Sequence, residues 1–263
     1  MKTEILYQCK LCQKLFTDAE MSDEHYPAHC VGNDDIVQLD LVKLLDSFVE
    51  TDSSLKKALK KGIEKGENPQ NIADYYFDKH LTKSIYPKGR TARTLCQKCN
   101  TFLGDYDKAY LKFYNADGNS EIVKGFQKST KLKIIKSIFA KFLSIPETDC
   151  ANFDFINFLR DKDAENYDGI WKIYFVKRNY TTDILGYQDI STGKMNWDES
   201  KIVYELSDDK FIYNLLNFEK HKEFEMTNLF DILNRKYQII EGCNDPSGGY
   251  HGQMMLLRLL KNH

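Results

Sequence analysis

The sequence Leu95-Cys96-Gln97-Lys98-Cys99-Asn100 contains two cysteines separated by two residues, and an asparagine directly follows the second cysteine. A matching pair, Cys9 and Cys12, lies near the N-terminus. Thiolates at this spacing can share one metal ion, and two such pairs are a strong signal for tetrahedral zinc. Four thiolates leave no open coordination position, so the sequence predicts a structural zinc at Cys9, Cys12, Cys96 and Cys99.

An alternative ligand set replaces one of these cysteines by His29 or Cys30, which lie between the two pairs. The four-cysteine set is preferred because the Cys-x-x-Cys spacing occurs twice and a set of four thiolates is a common structural zinc site. Metal binding would help to fold a unit that is too small to bury much apolar surface by itself.

The segment between the pairs includes Glu24-His25-Tyr26-Pro27-Ala28-His29-Cys30-Val31-Gly32. Together with both cysteine pairs and Asn100, it resembles the HNH, or ββα-metal, endonucleases, in particular the zinc-stapled branch that includes phage endonuclease VII. The resemblance covers roughly the first 110 residues. Two features depart from the family pattern: Pro27 lies one place nearer His25 than usual, and about eighty residues separate the cysteine pairs where a few tens are common.

The resemblance implies that the chain is an endonuclease that hydrolyses phosphodiester bonds with a catalytic divalent ion, Mg²⁺ or Mn²⁺. It assigns the ion to Glu24 and Asn100, whose oxygen atoms suit hard cations, and it makes His25 the general base. Asp23 and Asp107 are weaker candidates for the ion. Because adjacent residues of a regular strand point to opposite faces, the strand must twist or bulge for Glu24 and His25 to act together.

The predicted fold class is α+β: a zinc-stapled ββα-metal unit with a helical insertion, followed by an α+β C-terminal domain. We place the nuclease domain at residues 1–118, with the insertion at about 33–90, and the C-terminal domain at residues 119–263. The C-terminal domain is expected to recognise or sense the target.

Hydrophobic periodicity underlies this division. Apolar residues at helical spacing predict a helix over Ile36–Leu59 within the insertion. In the C-terminal part, short apolar runs bounded by turn residues predict strands at Trp171–Val176, Ile184–Ile190 and Ile202–Leu206.

The charge pattern allows a polyanionic partner. The chain has 263 residues and a formal net charge of only −2, yet Ile122–Pro146 contains six lysines and no acid. Such an asymmetry allows a basic face on a nearly neutral protein, and Lys128, Lys131 and Lys136 are the predicted DNA contacts. The alternative is an ordinary solvated helix face. DNA is the expected partner, RNA is an alternative, and the oligomeric state is open, a homodimer included.

The sequence predicts a cytoplasmic protein with no membrane partner. No apolar core follows Met1 as a signal peptide would require, and no apolar run reaches membrane-spanning length. Unpaired thiols and a zinc site both fit a reducing compartment.

Two other function classes are consistent with parts of this pattern. A non-catalytic, zinc-dependent nucleic-acid-binding protein would keep the zinc scaffold but would not need Glu24, His25 and Asn100 together. A protein–protein adaptor with a structural zinc would show no salt-dependent affinity for DNA. For the nuclease, restriction, mobile-element and antiphage roles are all compatible with the sequence.

Overall fold

The computed structural model describes residues 5–34, 36–39, 43, 54–177, 194–196, 200–220 and 226–239. The strands are β1 (Leu6–Gln8), β2 (Leu15–Thr17), β3 (Met21–His25), β4 (Ile36–Leu39), β5 (Thr82–Tyr86), β6 (Thr91–Cys96), β7 (Lys172–Lys177), β8 (Lys194–Asn196), β9 (Ile202–Ser207), β10 (Phe211–Leu216) and β11 (Thr227–Asn228). The α-helices are α1 (Ser54–Glu64), α2 (Pro69–Tyr76), α3 (Gln97–Asn115), α4 (Ser120–Val123), α5 (Lys128–Ser144) and α6 (Ile156–Arg160). This mixture of helices and antiparallel strands confirms the α+β fold class.

The chain divides into two compact units, Asp34–Gly89 and the remainder, which combines Met1–Asn33 with Arg90–His263. The first of these spans nearly the same residues as the predicted insertion. Its assignment as an insertion within a nuclease domain stays a prediction. We call Asp34–Gly89 the small unit and the remainder the large unit.

The described residues of the small unit include helices α1 and α2 and the strand pair of β4 and β5. Strand β4 pairs antiparallel with β5, so the prediction that a helix begins at Ile36 is wrong for Ile36–Leu39. Ile and Val favour strands where a partner strand is present, and periodicity within one segment does not reveal that partner. Helix α2 begins at Pro69: the Asn68 side chain accepts a hydrogen bond from the Gln70 amide at 2.8 Å, and Pro69 occupies the first turn.

Asn33 holds together the two points at which the chain leaves and re-enters the large unit. Its side-chain amide donates to the carbonyls of Pro27 (2.7 Å) and Arg90 (3.0 Å). Its side-chain oxygen accepts from the Arg90 backbone amide at 2.6 Å. Asn33 is buried, so these hydrogen bonds are shielded from water. They hold the segments at Pro27 and Arg90 close together.

Helix α5 lies in the interior of the large unit, with 13 of its 17 residues buried. It packs against α3, α6, β6 and the 3-10 turn Leu229–Leu233. A helix enclosed on all sides must be apolar or must satisfy each polar group with a partner.

The lysines of α5 do not form a DNA-facing row. Lys131 and Lys136 are buried, so their prediction as DNA contacts is wrong. The Lys136 ammonium donates to the carbonyls of Asp161 (2.6 Å) and Lys162 (3.1 Å) and lies 4.8 Å from the centre of the Phe158 ring. Backbone carbonyls and a ring face can satisfy a buried lysine, and helical periodicity cannot distinguish this from solvent exposure.

The C-terminal part of the large unit forms a five-stranded antiparallel sheet with the strand order β11-β7-β10-β9-β8. Strands β7 and β9 confirm the predictions at Trp171–Val176 and Ile202–Leu206. The predicted strand at Ile184–Ile190 lies outside the described residues. The central strand β10, with all six residues buried, pairs with β7 and β9.

The main hydrophobic core runs across the predicted boundary between residues 118 and 119. Phe113 of α3 packs against Phe175 of β7 and Phe211 of β10, with ring centres 6.2 and 5.2 Å apart. The Tyr106 hydroxyl donates to the Leu159 carbonyl at 3.0 Å. The division into a nuclease domain and a C-terminal domain stays a prediction, and residues on both sides of it share this core.

The turn between β9 and β10 contains a buried carboxylate, Asp208. It accepts hydrogen bonds from the backbone amides of Lys210 and Phe211, both at 2.8 Å, and from the Tyr110 hydroxyl. The Tyr110 and Tyr213 hydroxyls are 2.8 Å apart. Burial raises the pKa of Asp208 to about 6 although these donors oppose the shift.

We expect Asp208 to make stability depend on pH. The folded protein binds the Asp208 proton more tightly than the unfolded chain does, so the free energy of unfolding falls as pH rises from about 4 to about 6 and then levels off. When the pH rises from about 5 to about 7, the free energy of unfolding of Asp208→Asn should therefore increase by about 1 kcal/mol relative to that of wild type. Urea unfolding at several pH values measures this difference, with the exposed Asp168→Asn as control. If the free energies of unfolding of wild type and Asp208→Asn change with pH in the same way, this prediction is wrong.

Within the part of the chain that the structure describes, every helix is too short or too polar to span a membrane.

Candidate metal centre and nuclease-like site

The first cysteine pair lies in the turn between β1 and β2. The Cys9 amide donates to the Lys14 carbonyl at 2.9 Å, and the Gln13 amide donates to the Cys9 carbonyl at 2.8 Å. Gln13 has a φ of 64°, in the left-handed region that tight turns use. These bonds fold the turn so that Cys9 and Cys12 can present their sulfurs to one point.

The second pair lies where β6 passes into α3. Cys96 is the last residue of β6 and precedes the first residue of α3, and Cys99 lies in the first turn of the helix. The Lys10 amide donates to the Thr94 carbonyl at 2.8 Å and joins the two pairs. The four ligand sulfurs all lie within 4.8 Å of one another.

This cluster could hold a structural metal such as zinc. Tetrahedral coordination with Zn–S bonds of about 2.3 Å places sulfurs ~3.8 Å apart, so a small contraction around the ion is sufficient. In the absence of metal, a hydrogen bond from the Cys99 thiol lowers the pKa of Cys9 to about 4, which favours a thiolate. Among the described residues, His29 and Cys30 belong to no such cluster, so the alternative ligand set is not the one found.

Two long side chains tie the first cysteine turn to the rest of the large unit. The Lys10 ammonium donates to the carbonyls of Ile145 (2.5 Å) and Thr148 (2.9 Å), just after the end of α5. The Arg160 guanidinium donates through Nε to the Leu11 carbonyl at 2.8 Å. The cysteine turn is therefore anchored to the ends of α5 and α6.

Strand β3 pairs antiparallel with β6, and β6 leads directly into α3, which contacts both strands. We call β3, β6 and α3 the ββα arrangement. Ser22 lies opposite Leu95, Glu24 opposite Ala92, and the register shifts between Ser22 and Glu24. A bulge of this kind is the irregularity that joint action of Glu24 and His25 would require.

The three candidate site residues of β3, Asp23, Glu24 and His25, have different environments. Asp23 is exposed, and its carboxylate accepts from Arg93 Nε at 2.9 Å. Glu24 is buried, with 5% of its surface exposed. His25 is half-buried, and its ring lies edge-on to the His29 ring at 5.2 Å between centres.

Glu24 points at a lysine that sequence reasoning did not assign to the site. The buried Lys141 ammonium of α5 is paired with the Glu24 carboxylate, lies 2.8 Å from Asp107 Oδ2 and donates to the His25 carbonyl at 3.2 Å. Burial raises the pKa of Glu24 despite this partner. Burial also acts to lower the pKa of Lys141, but Asp107 and Glu24 outweigh it, and the net shift is upward.

The acidic and amide residues of α3 have different neighbours. The Asn100 side-chain amide donates to the Ser22 hydroxyl at 2.6 Å, so the first turn of α3 faces β3. Asp107, two turns further on, contacts Lys141 and accepts from the Ser137 hydroxyl at 2.8 Å. The structure thus brings Glu24 and Asp107 to one cation and places Asn100 beside Ser22.

Glu24, Asp107 and Asn100 supply oxygen atoms, the donors that Mg²⁺ and Mn²⁺ prefer. The donor types therefore fit the divalent ion that the resemblance implies. In this structure the cation that Glu24 and Asp107 face is the Lys141 ammonium. No periodic pattern marks Lys141, because it shares α5 with lysines that have other environments.

Comparisons with protein-family models, with curated proteins and with solved structures give no match for this chain.

Proposed function

We propose that the chain is a metal-dependent endonuclease that hydrolyses DNA phosphodiester bonds at the ββα arrangement. One observation carries the proposal: β3 pairs with β6, β6 runs directly into α3, the Asn100 side chain donates to Ser22 of β3, and the four-cysteine cluster includes the junction of β6 and α3. Two paired strands followed by a helix are the order of elements that the resemblance to HNH endonucleases implies. The two cysteine pairs come together in this arrangement although 83 residues separate Cys12 from Cys96 in the sequence.

In this proposal His25 is the general base, because its imidazole is half-exposed and histidine is the side chain that most often takes the proton of an attacking water. Glu24 and Asn100 would hold the divalent ion, and Asp107, which shares the Lys141 ammonium with Glu24, offers a further oxygen donor. When bound, the ion stabilises the charge that develops on the phosphate and on the leaving oxygen. The zinc keeps β6 and α3 in position and takes no part in the chemistry.

Plasmid nicking in the presence of Mg²⁺ or Mn²⁺ tests this function. We expect His25→Ala to reduce the cleavage rate by a factor on the order of 10² or more, the usual effect of losing a positioned general base. Zinc content, melting temperature and DNA binding should stay near wild type, because His25 is a ligand of neither proposed metal. The exposed His80→Ala is the matched control and should cut at the wild-type rate.

Asn100→Ala should behave differently from His25→Ala. It removes an oxygen ligand of the divalent ion, so a higher Mg²⁺ or Mn²⁺ concentration should recover part of the activity, whereas extra metal cannot replace a base. Cleavage rates over a metal titration, with zinc measured in parallel, separate the two effects. Wild-type cleavage by folded His25→Ala would exclude the proposed nuclease site.

A second candidate, a non-catalytic zinc-dependent nucleic-acid-binding protein, is favoured by the buried ion pair between Glu24 and Lys141. A carboxylate that is already neutralised by a lysine has less attraction for a divalent ion. This candidate predicts salt-dependent DNA binding without nicking at any metal concentration. The C-terminal sheet would recognise or sense the target under either proposal, in a restriction, mobile-element or antiphage setting.

A further inference from the structure

A groove of about 430 Å³ lies beside the cysteine cluster on the large unit. Leu11, Phe16 and Phe102 supply its apolar walls, and Cys12 and Cys99 line it next to them. Both phenylalanines are partly exposed. The volume falls within the range of small-ligand sites, about 300–1,000 Å³.

Cys96 and three cationic side chains, Lys14, Lys98 and Arg160, complete the lining, and none of the described residues that line the groove is acidic. Arg160 is held in place by its bond to the Leu11 carbonyl. Lys14 and Lys98 are exposed. The ammonium of Lys162 lies 5.1 Å from the centre of the Phe102 ring.

The cysteine cluster itself affects the electrostatics of the groove. One Zn²⁺ held by four thiolates has a net charge of about −2, which would repel an anion. The three positive charges of the lining side chains exceed this negative charge, so the net charge of a zinc-loaded groove would be positive. Aromatic faces next to lysines are the usual combination for binding unpaired bases and their phosphates.

We propose that this groove binds one unpaired base of a single-stranded nucleic acid, with the base against Phe102 and the neighbouring phosphates at Lys14 and Lys98. The proposal deepens the proposed function and rests on it for the choice of nucleic acid as ligand. It assigns the substrate class as nucleic acid with an unpaired segment, since a base inside a duplex cannot reach an aromatic wall.

Fluorescence anisotropy with zinc-loaded protein and no added Mg²⁺ or Mn²⁺ tests the proposal. The probe is a labelled oligothymidine of about 12 nucleotides, within the usual site size, compared with a duplex of equal length. We expect the single strand to bind more tightly. Phe102→Leu should weaken single-strand binding about tenfold, the scale of losing one stacking partner, and should leave duplex binding nearly unchanged.

The matched aromatic control is Tyr75→Leu, because Tyr75 is exposed and also has a lysine, Lys79, 5.2 Å from its ring centre. It should bind the single strand like wild type. Lys14→Gln and Lys98→Gln should each reduce the salt dependence, by roughly 0.7 in the slope of log affinity against log salt. Lys112→Gln, exposed on the same helix as Lys98, should leave the slope unchanged.

Wild-type single-strand affinity in folded Phe102→Leu overturns the proposal. If Phe102→Leu loses zinc or melts early, the exposed double variant Lys14→Gln/Lys98→Gln decides instead, and an unchanged salt slope overturns the proposal. Binding of an acidic peptide at this groove, with no single-strand affinity, also overturns it. If the groove variants weaken single-strand binding but the protein does not nick plasmid, the groove proposal is supported and the endonuclease proposal is excluded. If the protein nicks plasmid but the groove variants bind the single strand like wild type, the endonuclease proposal is supported and the groove proposal is excluded.

Discussion

Cys96→Ser should reduce the zinc content from about one ion per chain to almost none. The melting temperature should fall by on the order of 10 °C, since a chain of this size loses about 2–4 °C for each kcal/mol of stability. Elemental analysis and thermal unfolding of the same preparations measure both effects.

The expected fall in melting temperature follows from the position of Cys96 in the fold. It is buried, it ends β6, and it immediately precedes α3, so a bound metal would join the turn between β1 and β2 to the junction of β6 and α3. The free energy of binding a structural zinc contributes directly to folding, because the unfolded chain does not present the four sulfurs together. Serine conserves the size of the side chain but is a poor zinc ligand, so the loss reports the metal rather than packing.

Cys30→Ser is the matched control, because Cys30 is exposed and lies outside the four-sulfur cluster. It should keep both the zinc and the melting temperature of wild type. A zinc-free wild-type protein that melts at the same temperature as the zinc-loaded protein would show that the cluster is not a structural metal site.

Local sequence signals predict the cysteine cluster and several elements of the large unit. Two Cys-x-x-Cys pairs identify their own ligands through spacing, although 83 residues separate Cys12 from Cys96. Strands β7 and β9 also follow from their short apolar runs, because four consecutive residues of each strand are buried.

The errors concern partners that lie far away in the sequence. Strand β4 pairs with β5, more than forty residues later, and no local pattern at Ile36–Leu39 shows that partner. Sequence reasoning assigns the lysines of α5 to a solvent or DNA face because lysine is rarely buried. Lys136 finds carbonyl acceptors after α6, and Lys141 finds carboxylates on β3 and α3.

The part of the site that sequence reasoning missed is therefore the cation between Glu24 and Asp107. Helical spacing places Asp107 on the Asn100 face of α3, and the structure shows it with Glu24 at Lys141. The pairing depends on how α5 packs across α3, which is a property of the whole core. The roles of Glu24, His25 and Asn100 in catalysis stay predictions.

Lys141→Met should destabilise the protein by about 3–5 kcal/mol, because it leaves the buried Glu24 carboxylate without its counter-ion. Methionine has nearly the same length and shape as the lysine stem, so little packing is lost. Urea unfolding near pH 7 measures the change. Lys133→Met is the matched control on the same helix: its side chain is 40% exposed and its ammonium lies 3.6 Å from Asp105, so the cost should be at most about 1 kcal/mol.

The loss in Lys141→Met should depend on pH. Burial already raises the pKa of Glu24, and removing the lysine raises it further. A carboxyl group with a raised pKa is protonated more readily in the folded protein, so its contribution to stability falls as pH rises. The difference between Lys141→Met and wild type should therefore shrink as pH is lowered from about 7 to about 5.5.

The double variant Lys141→Met/Glu24→Gln completes the comparison. Replacing both members of a buried ion pair by neutral side chains of similar size costs much less than removing one. The double variant should therefore be more stable than Lys141→Met alone at pH 7, and its own stability should not depend on the titration of residue 24, because glutamine carries no titratable proton. Wild-type stability in Lys141→Met would show that Glu24 does not need this cation. Glu24 would then be available to a divalent ion, and the objection to the endonuclease that the buried ion pair raises would be removed.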